Sequence, residues 1–304
     1  LGFLRRLRGD HHGRVDLKAH GTAPIVDLAR LLALQAGSAD PSADWCALDE
    51  ILQAGPLALT NLFHTYNPKD GTLFIATHTG LFRSPRGQTT VKRVGDSQQD
   101  VMGFSVLGRD TFLGSGHPGP LEGGPSNLGL IRSDNAGGAW KSVSLRGEAD
   151  FHVLRSKNNT IYGYNATSGT LMVSSDSGRT WDERETPGAM LDLAIDPNDP
   201  SHVVASTEQG LVDSIDAART WQGLVKGKTA LLTWPAADRF YSIDGNGQVQ
   251  LSRNSGRRWQ SRGSIGGPPA ALASDRADLY AALPDATVKR STDGGTTWSI
   301  RATP

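Results

Sequence analysis

The sequence predicts an all-β fold, a six-bladed β-propeller with four-stranded antiparallel blades, preceded by a short, partly helical N-terminal segment. The first observation is a repeat, because five tryptophans are separated by 38 to 41 residues. They are Trp140, Trp181, Trp221, Trp259 and Trp298. The second observation is that each interval contains short strand-like runs separated by turn-forming residues. Four short antiparallel strands per unit of about 40 residues are typical of a propeller blade, and an open sandwich has no reason to show this period.

Residues 1–58 precede the repeat and are predicted to be a leader or linker, disordered or forming short helices. Residues 1–20 are basic and lack apolar periodicity, which is typical of a solvated segment. Residues 25–32 place apolar side chains on one helical face. The propeller is predicted to occupy residues 59–304. No apolar run in the sequence approaches the roughly 20 residues of a membrane span.

Each repeated tryptophan ends an eight-residue pattern, Ser-x-Asp-x-Gly-x-Thr-Trp, which we call the octad. The short acceptor side chain at its third position can bond backbone N–H groups further along and fold the chain into a tight turn. These acceptors are Asn135, Asp176, Asp216, Asn254 and Asp293. The glycine at the fifth position tolerates the positive φ that such a turn needs. Ala218 replaces this glycine in the fourth unit, so we expect that turn to be the most strained or the most altered.

Division of the chain by this period gives six blades. Blade one runs from about residue 59 to 97, and its octad is reduced to Ser84-Pro85-Arg86-Gly87. Blades two and three follow near residues 98–145 and 146–186. Blade four extends to about residue 226, blade five to about residue 265 and blade six to the end of the sequence.

The octads resemble the Asp-box, or BNR, repeat of sialidases, sortilin-type receptors and photosystem II assembly-factor propellers. Residues 66–304 look more specifically like a bacterial exported family of BNR-repeat proteins labelled glycosyl hydrolases or sialidase-like. The matching stretches are residues 67–71, 75–82, 94–97, 100–104, 114–118 and 147–152. This resemblance implies a propeller fold and a secreted, periplasmic or cell-envelope location in a bacterium.

Polar side chains gather where the loops of blades one to three are predicted to meet. In a propeller, the loops entering each first strand and those joining the second and third strands line one face, which we call the top face. The octad turns lie on the opposite face, so we expect the octads to be structural. The top-face candidates for ligand binding are His78, Asp100, His117, Asp150, His152 and Tyr164.

Several functions are compatible with these candidates, and the first is a scaffold that binds a glycan, peptide or protein ligand at the top face of blades one to three. The alternative is a glycoside hydrolase, in which Asp100 and Asp150 or Glu148 form an acid/base pair and Tyr164 is the nucleophile. A true sialidase is not expected. Sialidases have an Arg-Ile-Pro stretch on blade one, whose arginine binds the substrate carboxylate. The similar stretch of this chain begins at Arg83, which is predicted to lie on the octad face. The second alternative is a divalent metal held by His78, His117 and His152, because imidazole and carboxylate suit Zn, Cu or Ni.

The composition excludes other classes. Lysine plus arginine and aspartate plus glutamate both number 31, which argues against binding nucleic acid through bulk electrostatics. A single cysteine permits no intramolecular disulfide. The charge balance therefore predicts no nucleic-acid partner. We also expect a monomer that requires no cofactor.

Overall fold

The computed structural model describes the backbone of residues 63–66 and all atoms of residues 70–120 and 122–304. The chain divides into two units, Leu1–Pro56 and Leu57–Pro304, and the described residues all lie in the second unit. The predicted N-terminal segment, residues 1–58, lies outside the described residues and stays a prediction. No helix of the described part of the chain is long and apolar enough to cross a bilayer.

Six four-stranded antiparallel sheets form the six predicted blades, and the order of the strands in each sheet follows the sequence. Blade one contains β1 (Phe63–Tyr66), β2 (Leu73–Thr77), β3 (Gly80–Ser84) and β4 (Lys92–Arg93). Blade two contains β5 (Asp100–Gly108), β6 (Thr111–His117), β7 (Leu130–Ser133) and β8 (Lys141–Ser144). Blade three contains β9 (Phe151–Lys157), β10 (Thr160–Asn165), β11 (Thr170–Ser174) and β12 (Asp182–Arg184).

Blades four to six repeat this pattern. Blade four contains β13 (Met190–Ile195), β14 (Val203–Thr207), β15 (Gly210–Ser214) and β16 (Gln222–Lys226). Blade five contains β17 (Leu231–Ala236), β18 (Arg239–Ile243), β19 (Gln248–Ser252) and β20 (Gln260–Ser264). Blade six contains β21 (Ala271–Asp275), β22 (Asp278–Ala282), β23 (Val288–Ser291) and β24 (Ser299–Ala302). The predicted six-bladed fold is therefore confirmed.

The hydrophobic core lies between neighbouring blades. Side chains alternate between the two faces of a strand, so a strand inside a propeller buries residues against the blades on both sides. In β2, for example, Phe74 and Ala76 pack toward blade two, and the ring centroids of Phe74 and Phe112 are 4.8 Å apart. Leu73 and Ile75 of the same strand pack toward blade six. Burial of this apolar area is what holds adjacent blades together.

The octads form turns at the ends of the third strands. In blade three, Oδ1 of Asp176 accepts from the backbone N–H groups of Arg179 and Thr180, at 3.0 and 2.9 Å. Gly178 has φ 87° and donates its N–H to Oγ of Ser174. In blade four Ala218 has φ 61° and keeps the equivalent bond to Ser214, at 3.0 Å. The Ala218 turn is therefore strained, because an alanine occupies the left-handed region, but it is not altered.

The ring closes where blade six meets blade one. The guanidinium of Arg301, on β24, donates to Oγ of Ser84 and to the carbonyl oxygens of Ser84 and Pro85, at 2.9, 3.0 and 3.0 Å. The N–H of Thr303 donates to the carbonyl of Thr89. Arg262 of blade five contacts the octad carbonyls of blade six in the same way. The carbonyl groups of the reduced octad in blade one therefore still accept hydrogen bonds from an arginine of the preceding blade, as those of the complete octad in blade six do.

Candidate functional site

The inner strands of blades two, three and four each contain one extra residue near the top face. The register of β5 with β6 passes from Val101 to Gly103, so Met102 is the bulged residue. In β9 the bulged residue is His152, and in β13 it is Leu191. Blades five and six have a regular register at this end. A β-bulge changes the direction in which nearby side chains point, and bulges are common next to functional sites. These three bulges therefore change the directions of side chains at the top ends of three adjacent inner strands.

The predicted histidines and aspartates come together at this end of the molecule. Oδ2 of Asp150 lies 2.8 Å from Nε2 of His152 and 3.4 Å from Nε2 of His117. In the neighbouring blades, Nδ1 of His78 lies 2.8 Å from Oδ1 of Asp100. Asp150 is almost completely buried, with 6% of its side chain exposed, whereas the two imidazoles beside it are 40% and 41% exposed. A buried carboxylate thus holds two solvent-facing rings at the top mouth.

The electrostatics of His117 follow from its two partners. Its Nε2 faces the Asp150 carboxylate, and its Nδ1 lies 2.8 Å from the carbonyl oxygen of Ser126. Both partners are acceptors, so only the imidazolium can donate to both. The hydrogen bond to Asp150 raises the pKa of His117 to about 9, although burial opposes the rise. Burial alone would raise the pKa of Asp150, but the hydrogen bonds from His117 and His152 outweigh it and lower that pKa below its usual range.

Glu148 and Tyr164 lie in different surroundings. Glu148 is exposed, and no hydrogen bond or ion pair joins its carboxylate to another described residue. The ring of Tyr164 packs against the core cluster between blades three and four. Tyr164 and His152 both line the central cavity. The structure therefore brings five candidates into two hydrogen-bonded groups, places Tyr164 beside them on the cavity wall and leaves Glu148 outside.

A central cavity of about 600 Å³ runs between the inner strands β5, β9, β13, β17 and β21. At its top end it is lined by His152, Tyr164 and the bulged Leu191, which is 52% exposed. At its opposite end it is lined by Lys157, Asp275 and Arg276. This volume lies within the range of ligand-binding cavities in proteins.

Halfway along the cavity, Arg155 and Asp192 join three blades. Nη2 of Arg155 lies 2.6 Å from Oδ1 of Asp192, and the other carboxylate oxygen accepts the N–H of Leu232 at 2.8 Å. The Arg155 guanidinium also donates to the carbonyl oxygens of Leu154 and Leu193, each at 3.1 Å. Asp192 is buried, whereas 23% of the Arg155 side chain remains exposed to the cavity.

Two residues of this region were not among the sequence candidates. Leu191 enters the mouth only because of the bulge, for which the sole signal in the sequence is the consecutive apolar pair Met190-Leu191 before Asp192. Arg155 lies in mid-strand, three residues below His152, rather than in a top-face loop. Loop position alone therefore could not identify either side chain.

The divalent-metal alternative receives no geometric support. Among the residues that the structure describes, no group of three or more histidine, cysteine, aspartate or glutamate side chains is arranged to hold a metal ion. The assignment of His78, His117 and His152 as metal ligands stays a prediction.

The comparisons with known proteins show a similarity of fold. A family model described as "Putative nucleotidyltransferase substrate binding domain" matches residues 1–44, less than half of the chain and outside the described residues. No curated protein matches the sequence. The described fold is that of a β-propeller protein, and several solved structures share it.

Three of these structures illustrate the similarity. YCF48 bound to D1 peptide is 16% identical with a TM-score of 0.51, and the match covers 81% of this chain and 83% of that one. The GH74 xyloglucanase from Xanthomonas campestris is 16% identical with a TM-score of 0.53, over 81% of this chain and 45% of the enzyme. The extracellular domain of a protein described as a one-component system of B. thetaiotaomicron is 11% identical with a TM-score of 0.54, over 81% of this chain and 33% of that chain.

At these identities the similarity shows the fold alone. The propeller spans less than half of the xyloglucanase and a third of the B. thetaiotaomicron chain. The family-specific features of the resemblance, the Asp-box repeat and the sialidase-like character, stay predictions.

Proposed function

We propose that this β-propeller is a binding protein that holds a peptide or protein ligand at the top mouth of blades one to three, with blade four completing the mouth. The observation that carries the proposal is the set of three consecutive bulges in β5, β9 and β13. Two of the bulged residues, His152 and Leu191, line the cavity. Each bulge interrupts the hydrogen bonds between two strands, which a regular strand would keep. The occurrence of bulges in three adjacent blades therefore favours a functional role.

The chemistry of the mouth suits a peptide. Nε2 of His152 is bound to Asp150, and its Nδ1 has no hydrogen-bond partner among the described residues. Leu191 provides an exposed apolar surface beside it, and Tyr164 offers both a ring face and a hydroxyl. A peptide presents alternating backbone polar groups and side chains, which is the combination this wall can contact. The peptide-bound structure of YCF48 shows that a similar fold can serve this purpose.

The glycoside hydrolase alternative has weaker support. A general acid in such enzymes needs a pKa raised toward neutrality, whereas the two histidines lower that of Asp150. Asp150 is also almost buried, and Asp100 is bound to His78. The similarity to a xyloglucanase concerns the fold and does not restore the acid/base pair.

The test is a peptide-library selection on the immobilised 304-residue chain, followed by affinity measurements on variants. We expect selected peptides to lose at least tenfold in affinity for the double variant His152→Ala/Tyr164→Ala. Arg179→Ala, an exposed octad residue on the opposite face, is the matched control and should bind as the wild type does. Equal binding to both variants would overturn the proposal.

A parallel panel of chromogenic glycosides tests the alternative. We expect no turnover. Robust hydrolysis that disappears in both Asp100→Asn and Asp150→Asn would instead establish the hydrolase.

We further propose that the protein is exported by a bacterium. The support is the sequence resemblance to exported propellers, together with a similar fold in an extracellular domain. Fractionation of the native host should recover the chain from the periplasm, the cell envelope or the medium. Recovery from the cytoplasm alone would contradict export.

A further inference from the structure

Arg155 lines the central cavity, and its guanidinium has N–H groups that no described residue accepts. A guanidinium has five N–H groups. Three of them are used, by the carbonyl oxygens of Leu154 and Leu193 and by the Asp192 carboxylate. The other two have no acceptor among the described residues, and the side chain is 23% exposed. Because Arg155 lines the cavity, these donors are available to a group that enters it.

The three existing bonds also fix the orientation of these donors. They attach the guanidinium to both β9 and β13, so its plane cannot rotate freely. An arginine fork held in one plane binds carboxylates well, because two parallel N–H groups match the two oxygens. Fixing it in advance reduces the entropy lost on binding.

Asp192 does not compete for these donors. Its Oδ1 accepts from Arg155 and from the N–H of Leu193, and its Oδ2 accepts from the N–H of Leu232. Asp192 also lines the cavity, but its carboxylate is buried and each of its oxygens already accepts a backbone N–H group. The other basic side chains of the cavity, Lys157 and Arg276, lie at its far end. Among these three basic side chains, Arg155 is therefore the one nearest to the top mouth.

The groups that line the cavity near Arg155 determine which ligands suit it. Arg155 follows the bulged His152 by three residues on β9. The Arg155 guanidinium nevertheless binds the carbonyl oxygen of Leu154 and the carboxylate of Asp192, and Asp192 directly follows the bulged Leu191. Leu191 and Val153 contribute apolar surface to the same cavity wall. A ligand that binds Arg155 from the top therefore meets apolar side chains beside the charged group.

We infer that the central cavity is a carboxylate site, in which Arg155 binds the carboxylate of a ligand whose adjoining apolar group contacts Leu191 and Val153. This inference rests on the proposed function, since it names the group that the top mouth admits. The carboxylate has two possible sources, the C-terminus of a peptide with an apolar last residue and a small apolar organic acid.

The test compares acids with their amides on the full chain. The peptide pair is acetyl-Ala-Ala-Leu with a free or an amidated C-terminus, and the small pair is 4-methylpentanoate and 4-methylpentanamide. We expect at least tenfold tighter binding of the acid than of the amide, measured by ligand-observed NMR titration. If the peptide acid binds more tightly than 4-methylpentanoate, the ligand is the C-terminus of a peptide. If 4-methylpentanoate binds as tightly as the peptide acid, the ligand is a small organic acid.

Two variants separate the carboxylate contact from the apolar contact. Arg155→Gln should reduce affinity for the acids at least tenfold and leave the amides unchanged. Leu191→Ser should weaken acids and amides alike, by about three- to tenfold, and it lies on the surface, so it keeps the test valid if Arg155→Gln fails to fold. Arg179→Gln on the octad face is the control and should have no effect.

Three outcomes would overturn the inference. They are equal affinity for acid and amide, no binding of any of the four probes, and binding of inorganic phosphate as tight as that of the acids. If the acids and amides bind equally, but the His152→Ala/Tyr164→Ala variant loses peptides from the library selection, the proposed function stands and the carboxylate site is wrong. If that variant retains every selected peptide, the proposed function itself fails.

Discussion

At the scale of single residues, His117 lies at the top face and also stabilises the fold. Both of its ring nitrogens face acceptors, on Asp150 and Ser126, so its protonated form is the one that the folded state favours. The same contact keeps the buried Asp150 carboxylate paired, and an unpaired buried charge would be costly. The proposed ligand-binding surface and the buried carboxylate beneath it are therefore parts of one hydrogen-bonded group.

This contact predicts a loss of stability at alkaline pH. The folded pKa of His117, about 9, exceeds its ordinary value of 6.5, so its stabilisation is complete below pH 6.5 and is lost as the pH rises through 9. Because the ring is partly exposed, we expect an effect on the order of 1 kcal/mol after solvent screening. Urea unfolding of the wild type and of His117→Asn at pH 6.5 and 9.5 measures it. The free energy of unfolding should change less between these two pH values in the variant than in the wild type. An equal change in both proteins would refute the role of this residue.

The octad glycines provide a second prediction at this scale. A Cβ added to Gly178 would lie 2.1 Å from Cδ2 of Leu130, and φ is 87°. We therefore expect Gly178→Ala to lower the free energy of unfolding by roughly 1–3 kcal/mol. Ala218→Gly is the matched control, because it relieves the strain at φ 61° but removes a buried methyl group. It should stay within about 1 kcal/mol of the wild type in denaturant unfolding. A neutral Gly178→Ala would contradict this account of the turn.

At the scale of strands, Asp192 joins three blades at the level of the cavity. It binds Arg155 of β9 with one oxygen and the N–H of Leu232 in β17 with the other. The bulge at Leu191 makes this possible, because it shifts the register of β13 by one residue just before the carboxylate. The same irregularity thus supplies an exposed apolar side chain at the mouth and a buried bridge below it.

This bridge predicts a large effect of removing the Asp192 carboxylate. Asp192→Ala leaves the Arg155 charge and two backbone N–H groups without their acceptor, so we expect a loss of about 3–5 kcal/mol in the free energy of unfolding. Asp182→Ala provides the comparison, because Asp182 pairs with Arg184 at a similar distance, 3.0 Å, but is 70% exposed. That variant should lose less than about 1 kcal/mol. Similar losses for the two variants in guanidinium unfolding would show that Asp192 is not the bridge described.

At the scale of the whole molecule, closure of the ring depends on contacts between the two ends of the propeller sequence. Leu73 and Ile75 of blade one share a core cluster with Tyr280 and Val288 of blade six. In the outer strand of blade six, Arg301 donates hydrogen bonds to the reduced octad of blade one. The loss of the octad consensus in blade one therefore does not open the ring.

Arg301→Ala tests this closure. It removes charge-assisted hydrogen bonds to Ser84, Pro85 and Gln88, so we expect a loss of about 1–2 kcal/mol and a lower Tm in calorimetry. Arg262→Ala removes two equivalent bonds at an internal junction and is the matched comparison. An unchanged Tm for Arg301→Ala, with a lowered one for Arg262→Ala, would show that closure does not use this arginine.

Much of this architecture could be predicted because it repeats. The octads and their tryptophans recur at one period, and each depends on bonds within eight residues, as the contacts of Asp176 show. The top-face side chains could be assigned to one face by the same regularity. The pairing of His117 with Asp150 could not be derived, since it joins two blades, and neither could the bulges. A shift of one residue at His152 or Leu191 depends on how neighbouring strands pack, which no local pattern records.

Hydrogen–deuterium exchange of the full chain locates the surface that a bound ligand protects, and so tests whether ligands bind at the top mouth. The measurement compares the free protein with the protein saturated by a peptide from the library selection. We expect slower exchange at the top ends of β9 and β13, around His152 and Leu191, with the octad turns of Asp176 and Asp216 unchanged. Protection of the octad turns, with unchanged exchange around His152 and Leu191, would contradict binding at the top mouth.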